Sequence, residues 1–305
     1  MKKINKVYIS GLGAIGGAYG GIISDFNPDC LTVIADSGRI SRYLAEGITI
    51  NCKPYQFNYV TPEEGGEKAD LILIAVKHHQ LEQSVSEIEK YVGEDTVILS
   101  LLNGIVSEEI VAKKYGMRRI LHSFAVGTDS VRDGTVITFS NAGRIVFGAK
   151  DESGLENVRA VSDFFDRAGV PYSVPADIIR ELWWKFMMNV GINQLSAVLK
   201  ADYGVFQKTV EARELMTMAS REVISLAERE GVAIDESDIT KYISIINTLS
   251  PGGKTSMLQD IEARRKTEVE IFSGTVIELG KKYGIETPVN SILFRMIRTI
   301  EQVNM

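Results

Sequence analysis

The spacing of apolar and polar positions changes character partway along the chain. Up to about residue 150, short apolar runs recur, each closing on polar or glycine-rich sequence. Val7-Tyr8-Ile9, Leu31-Thr32-Val33-Ile34-Ala35, Leu71-Ile72-Leu73-Ile74-Ala75-Val76 and Val97-Ile98-Leu99-Ser100-Leu101-Leu102 are such runs. Continuous apolar character predicts parallel strands buried on both faces. Residues 120–126, 135–140 and 144–148 predict three further strands, and loose alternation over 48–60 predicts a hairpin broken near Pro54. Helices are predicted up to about Ser24, after a cap at Ser107 with Glu108 and Glu109 in the first turn, and from Ser153 to Ala168, where Gly169 stops it. From about residue 176 the pattern is helical: 177–199, 207–230 closed by Gly231, 235–248, 256–282 and a last helix from about 290. Ser250-Pro251-Gly252-Gly253-Lys254 reads as a loop.

The first apolar run leads into Gly11-Leu12-Gly13-Ala14-Ile15-Gly16. A strand that turns tightly and opens a helix has this form. The first glycine permits the turn, the second lets a pyrophosphate approach the backbone, and the third lets the helix lie close to the strand. The helix N-terminus then offers N–H groups and partial positive charge to phosphate. The spacing alone is weak evidence, and its context strengthens it. Asp36, Lys77 and Asn103 end successive apolar runs, where open parallel sheets bind ligands. Asp36 lies 25 residues after Gly11, close to the ribose-reading position of a dinucleotide site. The fold class is therefore α/β: an N-terminal Rossmann-like doubly wound domain over residues 1–175 and an all-helical C-terminal domain over 176–305, with the boundary near Val174-Pro175.

Composition narrows the function classes. Of the 305 residues 45% are hydrophobic and 24% charged, which suits a globular chain with a sizeable core. A net charge of −6 leaves no basic footprint for nucleic acid. Residues 7–24 carry no charge, but six of these eighteen are glycine, which speaks against a membrane span or signal helix. Cys30 and Cys52 fit no metal spacing and point to a reducing compartment, so a cytoplasmic location is expected. The adjacent His78 and His79 point in different directions on any regular element, and with His122 they form no ligand set. A metal-free mechanism is expected.

In the helical half, Lys185, Asn189 and Asn193 recur every four residues on one face of a helix that also carries Trp183, Trp184, Phe186, Met187 and Met188. Two readings stand. The amides bond neighbouring backbone and the lysine snorkels, or the row binds a ligand, because an ammonium in apolar surroundings needs a counter-ion or a ligand. Thr255 to Glu268 is a second cluster. Its pairs Asp260–Arg264 and Glu262–Lys266 read as a solvated helix face, Ser256 as an N-cap, and Glu268 as a surface carboxylate or a site residue.

Taken together, these segments resemble the ketopantoate reductase (2-dehydropantoate 2-reductase) family, within the wider 6-phosphogluconate-dehydrogenase-like group. The resemblance spans nearly the whole chain. It rests on Gly11 to Gly16, Val76-Lys77, Asn103-Gly104, Glu181-Leu182-Trp183-Trp184-Lys185 with Asn189 and Asn193, Thr255-Ser256-Met257-Leu258-Gln259-Asp260 with Thr267-Glu268, and Gly284-Ile285 with Thr287-Pro288-Val289-Asn290. It implies a hydride transfer from NADPH or NADH to a 2-keto acid, with Lys185 as general acid and Glu268 positioning that lysine or contacting the cofactor. It assigns Asn189, Asn193 and Ser256 to the substrate, Lys77 and Asn103 to the cofactor or carbonyl side, and the loop Ala125–Ser130 to the neighbourhood of the nicotinamide. A homodimer is also implied. Many members carry Arg at the end of the second strand, facing the 2′-phosphate of NADPH, whereas this chain has Asp36 followed by Arg39 and Arg42. A carboxylate there accepts from both ribose hydroxyls and repels a phosphate, so Asp36 favours NADH, with Arg39 or Arg42 able to rescue NADPH. The expected function is reduction of ketopantoate to pantoate for pantothenate and coenzyme A synthesis. The alternatives are an NADH-dependent D-2-hydroxyacid dehydrogenase acting on branched 2-keto acids and a non-catalytic dinucleotide sensor.

Overall fold

The computed structural model describes residues 2–304. The chain divides between Ile178 and Ile179 into two compact units. In the first unit the strands are β1 (Val7–Ser10), β2 (Leu31–Ile34), β3 (Ile48–Ile50), β4 (Lys53–Tyr55), β5 (Asn58–Val60), β6 (Leu71–Ile74), β7 (Val97–Ser100), β8 (Ile120–Val126), β9 (Val131–Asp133), β10 (Val136–Thr138), β11 (Arg144–Gly148) and β12 (Tyr172–Ser173). The helices are α1 (Ala14–Phe26), α2 (Ser37–Glu46), α3 (Leu81–Glu87), α4 (Ser107–Tyr115) and α5 (Leu155–Ala168).

An eight-stranded sheet runs β12-β11-β8-β7-β6-β1-β2-β5. From β5 to β8 the neighbours are parallel, and β11 pairs antiparallel with β8. Every residue of β1, β6 and β7 is buried, as their unbroken apolar sequence requires. Alternate side chains divide between two layers. Ile9, Leu73 and Leu99 join Tyr19 of α1 and Phe164 of α5, while Tyr8, Ile72 and Ile98 join Leu81 of α3 and Val111 of α4. Each fully buried side chain of this size contributes roughly 1.5–3 kcal/mol. Strand order reverses at β1, between β2 and β6, which makes the carboxyl ends of these strands the topological switch point.

Several expectations change. The hairpin is shorter than 48–60: β3 and β4 pair across Asn51 and Cys52, both at positive φ, and Pro54 lies within β4 opposite Thr49. Residues 58–60 leave the hairpin and extend the large sheet beside β2. The strand predicted at 135–140 also belongs elsewhere. It is β10, in a four-stranded sheet of order β4-β3-β10-β9. Ser107 does not cap α4 with its side chain; its hydroxyl donates to Glu108 Oε2 at 2.9 Å.

The second unit is built from α6 (Ile178–Leu199), α7 (Tyr203–Lys208), α8 (Val210–Arg229), α9 (Glu236–Thr248), α10 (Ser256–Glu262), α11 (Thr275–Tyr283) and α12 (Pro288–Asn304). α6 is apolar around most of its circumference, and Leu182, Trp183, Phe186, Met187 and Val190 are all buried. The single helix expected over 256–282 is two. Arg264 takes a left-handed φ of 52°, and Arg265 folds back so that its N–H reaches the Asp260 carbonyl at 2.8 Å and its Nε the Asp260 carboxylate at 3.0 Å. The ion pairs shift accordingly. Asp260 pairs with Arg265 rather than Arg264, Glu262 with Lys254 at 2.7 Å, and Lys266 with Glu270 at 3.8 Å. Helical backbone resumes as a π-turn over Glu270–Gly274 that runs into α11.

Candidate active site

In the first unit the glycine loop is shaped by steric necessity. Gly11 has a φ of 98°, and a Cβ there would stand 2.7 Å from the Ala75 carbonyl oxygen beyond β6. A Cβ at Gly16 would stand 2.0 Å from the Gly11 carbonyl oxygen. The turn therefore closes on itself and on the end of β6 only without side chains at these positions. Gly13 caps α1 without a side-chain hydrogen bond, and the first turn carries no acidic residue. Leu12 is buried, while Gly13, Ala14 and Ile15 are partly accessible. Bare amides at a helix start suit an anion such as a pyrophosphate.

Two side chains from beyond β8 brace this loop. Ser130 Oγ donates to the Ala14 carbonyl at 2.9 Å, and Arg132 Nη1 donates to the Leu12 carbonyl. Asp36, just after β2, caps α2 by accepting from the Arg39 N–H at 2.8 Å, and it pairs with Arg39 Nε at 3.2 Å. Its carboxylate is thus already engaged by a helix start and a guanidinium, which tempers the repulsion of a 2′-phosphate that the sequence implies. Lys77 follows β6 and Asn103 follows β7, both partly buried, so Asp36, Lys77 and Asn103 share the carboxyl-end rim of the sheet with the glycine loop. Behind Asn103, Glu108 is wholly buried and accepts from Ser107 Oγ at 2.9 Å and the Ser123 N–H at 3.2 Å. Burial pushes its carboxyl up to about 7 against the pull of those bonds. Burial lowers the neighbouring His122 to about 4, helped by Lys150.

In the second unit α6 carries Lys185, Asn189 and Asn193. Lys185 is 8% exposed and Asn193 is 7% exposed, while Asn189 is partly accessible. An ammonium so withdrawn from water does not snorkel. Glu268 is 7% exposed, so it is no surface carboxylate. Its place is fixed through Thr267, whose N–H and Oγ1 reach Glu301 Oε1 at 2.8 and 2.7 Å. The π-turn that follows is tied to α6, because Ser273 donates its N–H at 3.2 Å and its hydroxyl to Gln194 Oε1. The segment bearing Glu268 and the helix bearing Lys185 are thereby linked within one unit. Ser256 is exposed at the first position of α10. The cap is Thr255, whose Oγ1 accepts from the Leu258 N–H at 3.2 Å. The Ser256 hydroxyl is thus not committed to the cap.

Arg132, Gln194 and Glu301 are not among the residues the sequence singles out, and Ser130 enters there only as the end of the loop that the resemblance places near the nicotinamide. Thr267 stands in the motif beside Glu268, but its partner Glu301 lies 34 residues further on, and Gln194 meets Ser273 across 79 residues. Cys30 is buried and Cys52 exposed, both as free thiols. Among the described residues no group of three or more His, Cys, Asp or Glu side chains is arranged to hold a metal, and no helix is long and apolar enough to cross a membrane.

The family model described as "Ketopantoate reductase PanE/ApbA" matches residues 7–152, and "Ketopantoate reductase PanE/ApbA C terminal" matches residues 177–301. A 2-dehydropantoate 2-reductase of Aquifex aeolicus is 27% identical over 310 residues, covering 99% of each chain. Among solved structures, D-mandelate dehydrogenase with NADH and anilino(oxo)acetate superposes with a TM-score of 0.88 at 23% identity, covering 98% of this chain and 99% of that one. A dimeric ketopantoate reductase from Staphylococcus aureus superposes with a TM-score of 0.82 at 21% identity, covering 98% of this chain and all of that one (100%). Both structures share the fold described above. With the two matches spanning the glycine loop, the Lys185 helix and the Thr267-Glu268 segment, the chain belongs to the ketopantoate reductase family.

Proposed function

We propose that the protein reduces ketopantoate to pantoate, serving pantothenate and coenzyme A synthesis. The observation that carries this reading is the burial of Lys185 together with Glu268 in a unit whose π-turn is bonded to the Lys185 helix. A bound reduced nicotinamide supplies the hydride. As the substrate ketone is reduced, its oxygen gains negative charge, and Lys185 Nζ donates a proton to it. Water exclusion strengthens that interaction, because charge is poorly screened away from solvent. Glu268 keeps the lysine charged and oriented, since a carboxylate nearby favours the ammonium over the amine. Asn189, Asn193 and Ser256 hold the substrate carboxylate and hydroxyl by hydrogen bonds from uncharged side chains. In the first unit, Gly11 to Gly16 cradle the pyrophosphate, and Lys77 and Asn103 hold the cofactor from the sheet rim.

Asp36 favours NADH, because a carboxylate accepts from ribose hydroxyls and opposes a phosphate. Its pair with Arg39 makes that preference modest. A homodimer through the helical unit is proposed: the S. aureus relative is dimeric, and α12 leaves Ile292 58% and Met296 43% exposed. Two free thiols suit a cytoplasmic location. A D-2-hydroxyacid dehydrogenase acting on branched 2-keto acids is the second reading, favoured by Asp36 and by the likeness to D-mandelate dehydrogenase. A sensor without turnover has no use for a buried Lys185. Steady-state rates with ketopantoate and 2-ketoisocaproate, each with NADH and NADPH, test the proposal. A higher kcat/KM for ketopantoate supports it. A higher value for 2-ketoisocaproate moves the protein to the second reading.

A further inference from the structure

The glycine loop receives a cation from a strand outside its own motif. Arg132 lies in β9, at the edge of the four-stranded sheet and 120 residues along the chain from Leu12. Its Nη1 donates to the Leu12 carbonyl and its Nε to the Gly134 carbonyl at 2.7 Å. Its guanidinium carbon stands 5.5 Å from the centre of the Tyr43 ring. Tyr43 is buried on α2, the helix that Asp36 caps. One side chain therefore spans the first βα turn and the element after the second strand, the two places that flank the ribose and phosphates of a dinucleotide in this fold.

Among the described residues no carboxylate pairs with the Arg132 guanidinium. Backbone carbonyls and an aromatic face orient a guanidinium without cancelling its charge, and the exposed Arg42 guanidinium stands 5.5 Å from the same ring. Two cations beside one ring make the place attractive to an anion. Arg132 has five N–H donors in a fixed fork, and among the described residues two of them are used. A planar fork with donors to spare matches a phosphate better than any other dinucleotide group.

We propose that Arg132 is a phosphate-binding residue of the dinucleotide site, supplied by the small sheet to the glycine loop. The phosphate is either the pyrophosphate or the 2′-phosphate of NADPH, and the two sources separate by experiment. The inference rests on the reading of the first unit as a cofactor unit, but it needs no turnover.

The test is equilibrium binding of NADH and NADPH to the full chain, followed by nicotinamide fluorescence, for wild type, Arg132→Gln and Arg132→Lys at low and high salt. Gln keeps a donor at the position of Nε, where Arg132 reaches the Gly134 carbonyl, while removing the charge and the bond to Leu12. Losing a charge-assisted bond should weaken binding about 10- to 100-fold in Arg132→Gln. Arg132→Lys should recover part of it, and the salt dependence of binding should be shallower in Arg132→Gln than in wild type. Equal weakening for both dinucleotides assigns the pyrophosphate, and weakening for NADPH alone assigns the 2′-phosphate. Wild-type affinity in Arg132→Gln, or a loss with an unchanged salt dependence, overturns the proposal, since either would leave Arg132 only a brace for the loop. A wild type that binds neither dinucleotide refutes the cofactor reading itself, a different failure.

Discussion

Replacing Glu108 by Gln should stabilise the first unit at neutral and alkaline pH and leave it unchanged in acid. Glu108 is 1% exposed in the first turn of α4 and accepts hydrogen bonds from Ser107 Oγ and the Ser123 N–H. Burial nevertheless holds its carboxyl at about 7, against an ordinary value of 4.5. The folded state thus binds this proton more tightly than the unfolded state. The stability that Glu108 contributes is complete below about pH 4.5 and is lost as pH rises through about 7. The full difference corresponds to roughly 3 kcal/mol. Gln keeps the shape and an acceptor for the Ser123 N–H, and the Ser107 hydroxyl can turn to accept from the new amide. The variant should therefore exceed wild type by on the order of 2–3 kcal/mol near pH 8 and by little near pH 4.5. His122 works in the opposite sense: its contribution is complete above 6.5 and fades as pH falls toward about 4. It is present in both proteins and cancels in their difference. The assay is urea unfolding from about pH 4.5 to 8, followed by circular dichroism. Tryptophan fluorescence is the wrong probe, because Trp183 and Trp184 both lie on α6 in the second unit. A difference that stays constant with pH, or grows toward acid, would refute the reasoning.

Two further substitutions probe the parts of the site separately. Gly16→Ala places a Cβ about where the Gly11 carbonyl oxygen is approached to 2.0 Å, so the loop must open; NADH affinity should fall by at least about tenfold in a titration while the second unit unfolds as before. Thr267→Val removes the hydroxyl that donates to Glu301 at 2.7 Å and leaves that buried carboxylate short of a donor. Unfolding of the second unit, read by tryptophan fluorescence, should lose about 1–3 kcal/mol, and kcat should fall more than KM rises if Thr267 positions Glu268.

Much of this architecture was legible because its signals are local. Runs such as Leu71 to Ile74 are buried on both faces and read as parallel strands from composition alone. The glycine spacing declares its loop because a Cβ at Gly11 or Gly16 meets backbone oxygen. The row of Lys185, Asn189 and Asn193 follows from helical period. What escaped depends on partners distant in sequence. β9 and β12 are three and two residues long, and their pairing is set by tertiary contacts rather than by propensity. The break after α10 needed the Asp260–Arg265 bonds, and helix propensity through Ala263 to Lys266 gave no warning of it. Ser256 and Thr255 are both good caps, and only the Leu258 bond decides between them. Arg132 and Glu301 act on Leu12 and Thr267 across 120 and 34 residues, separations at which no periodicity speaks. Asp36 follows β2 and pairs with Arg39, a pairing that the end of an apolar run does not announce.

The central claim is that Lys185 protonates the substrate oxygen as hydride arrives. Its most direct test is a single-turnover measurement with Lys185→Ala, mixing the variant with saturating dinucleotide and ketopantoate and following nicotinamide absorbance. Cofactor affinity should stay within about twofold of wild type while the rate of hydride transfer falls by at least about 10²-fold, the scale of a lost general acid. A rate near that of wild type with the cofactor still bound would contradict it.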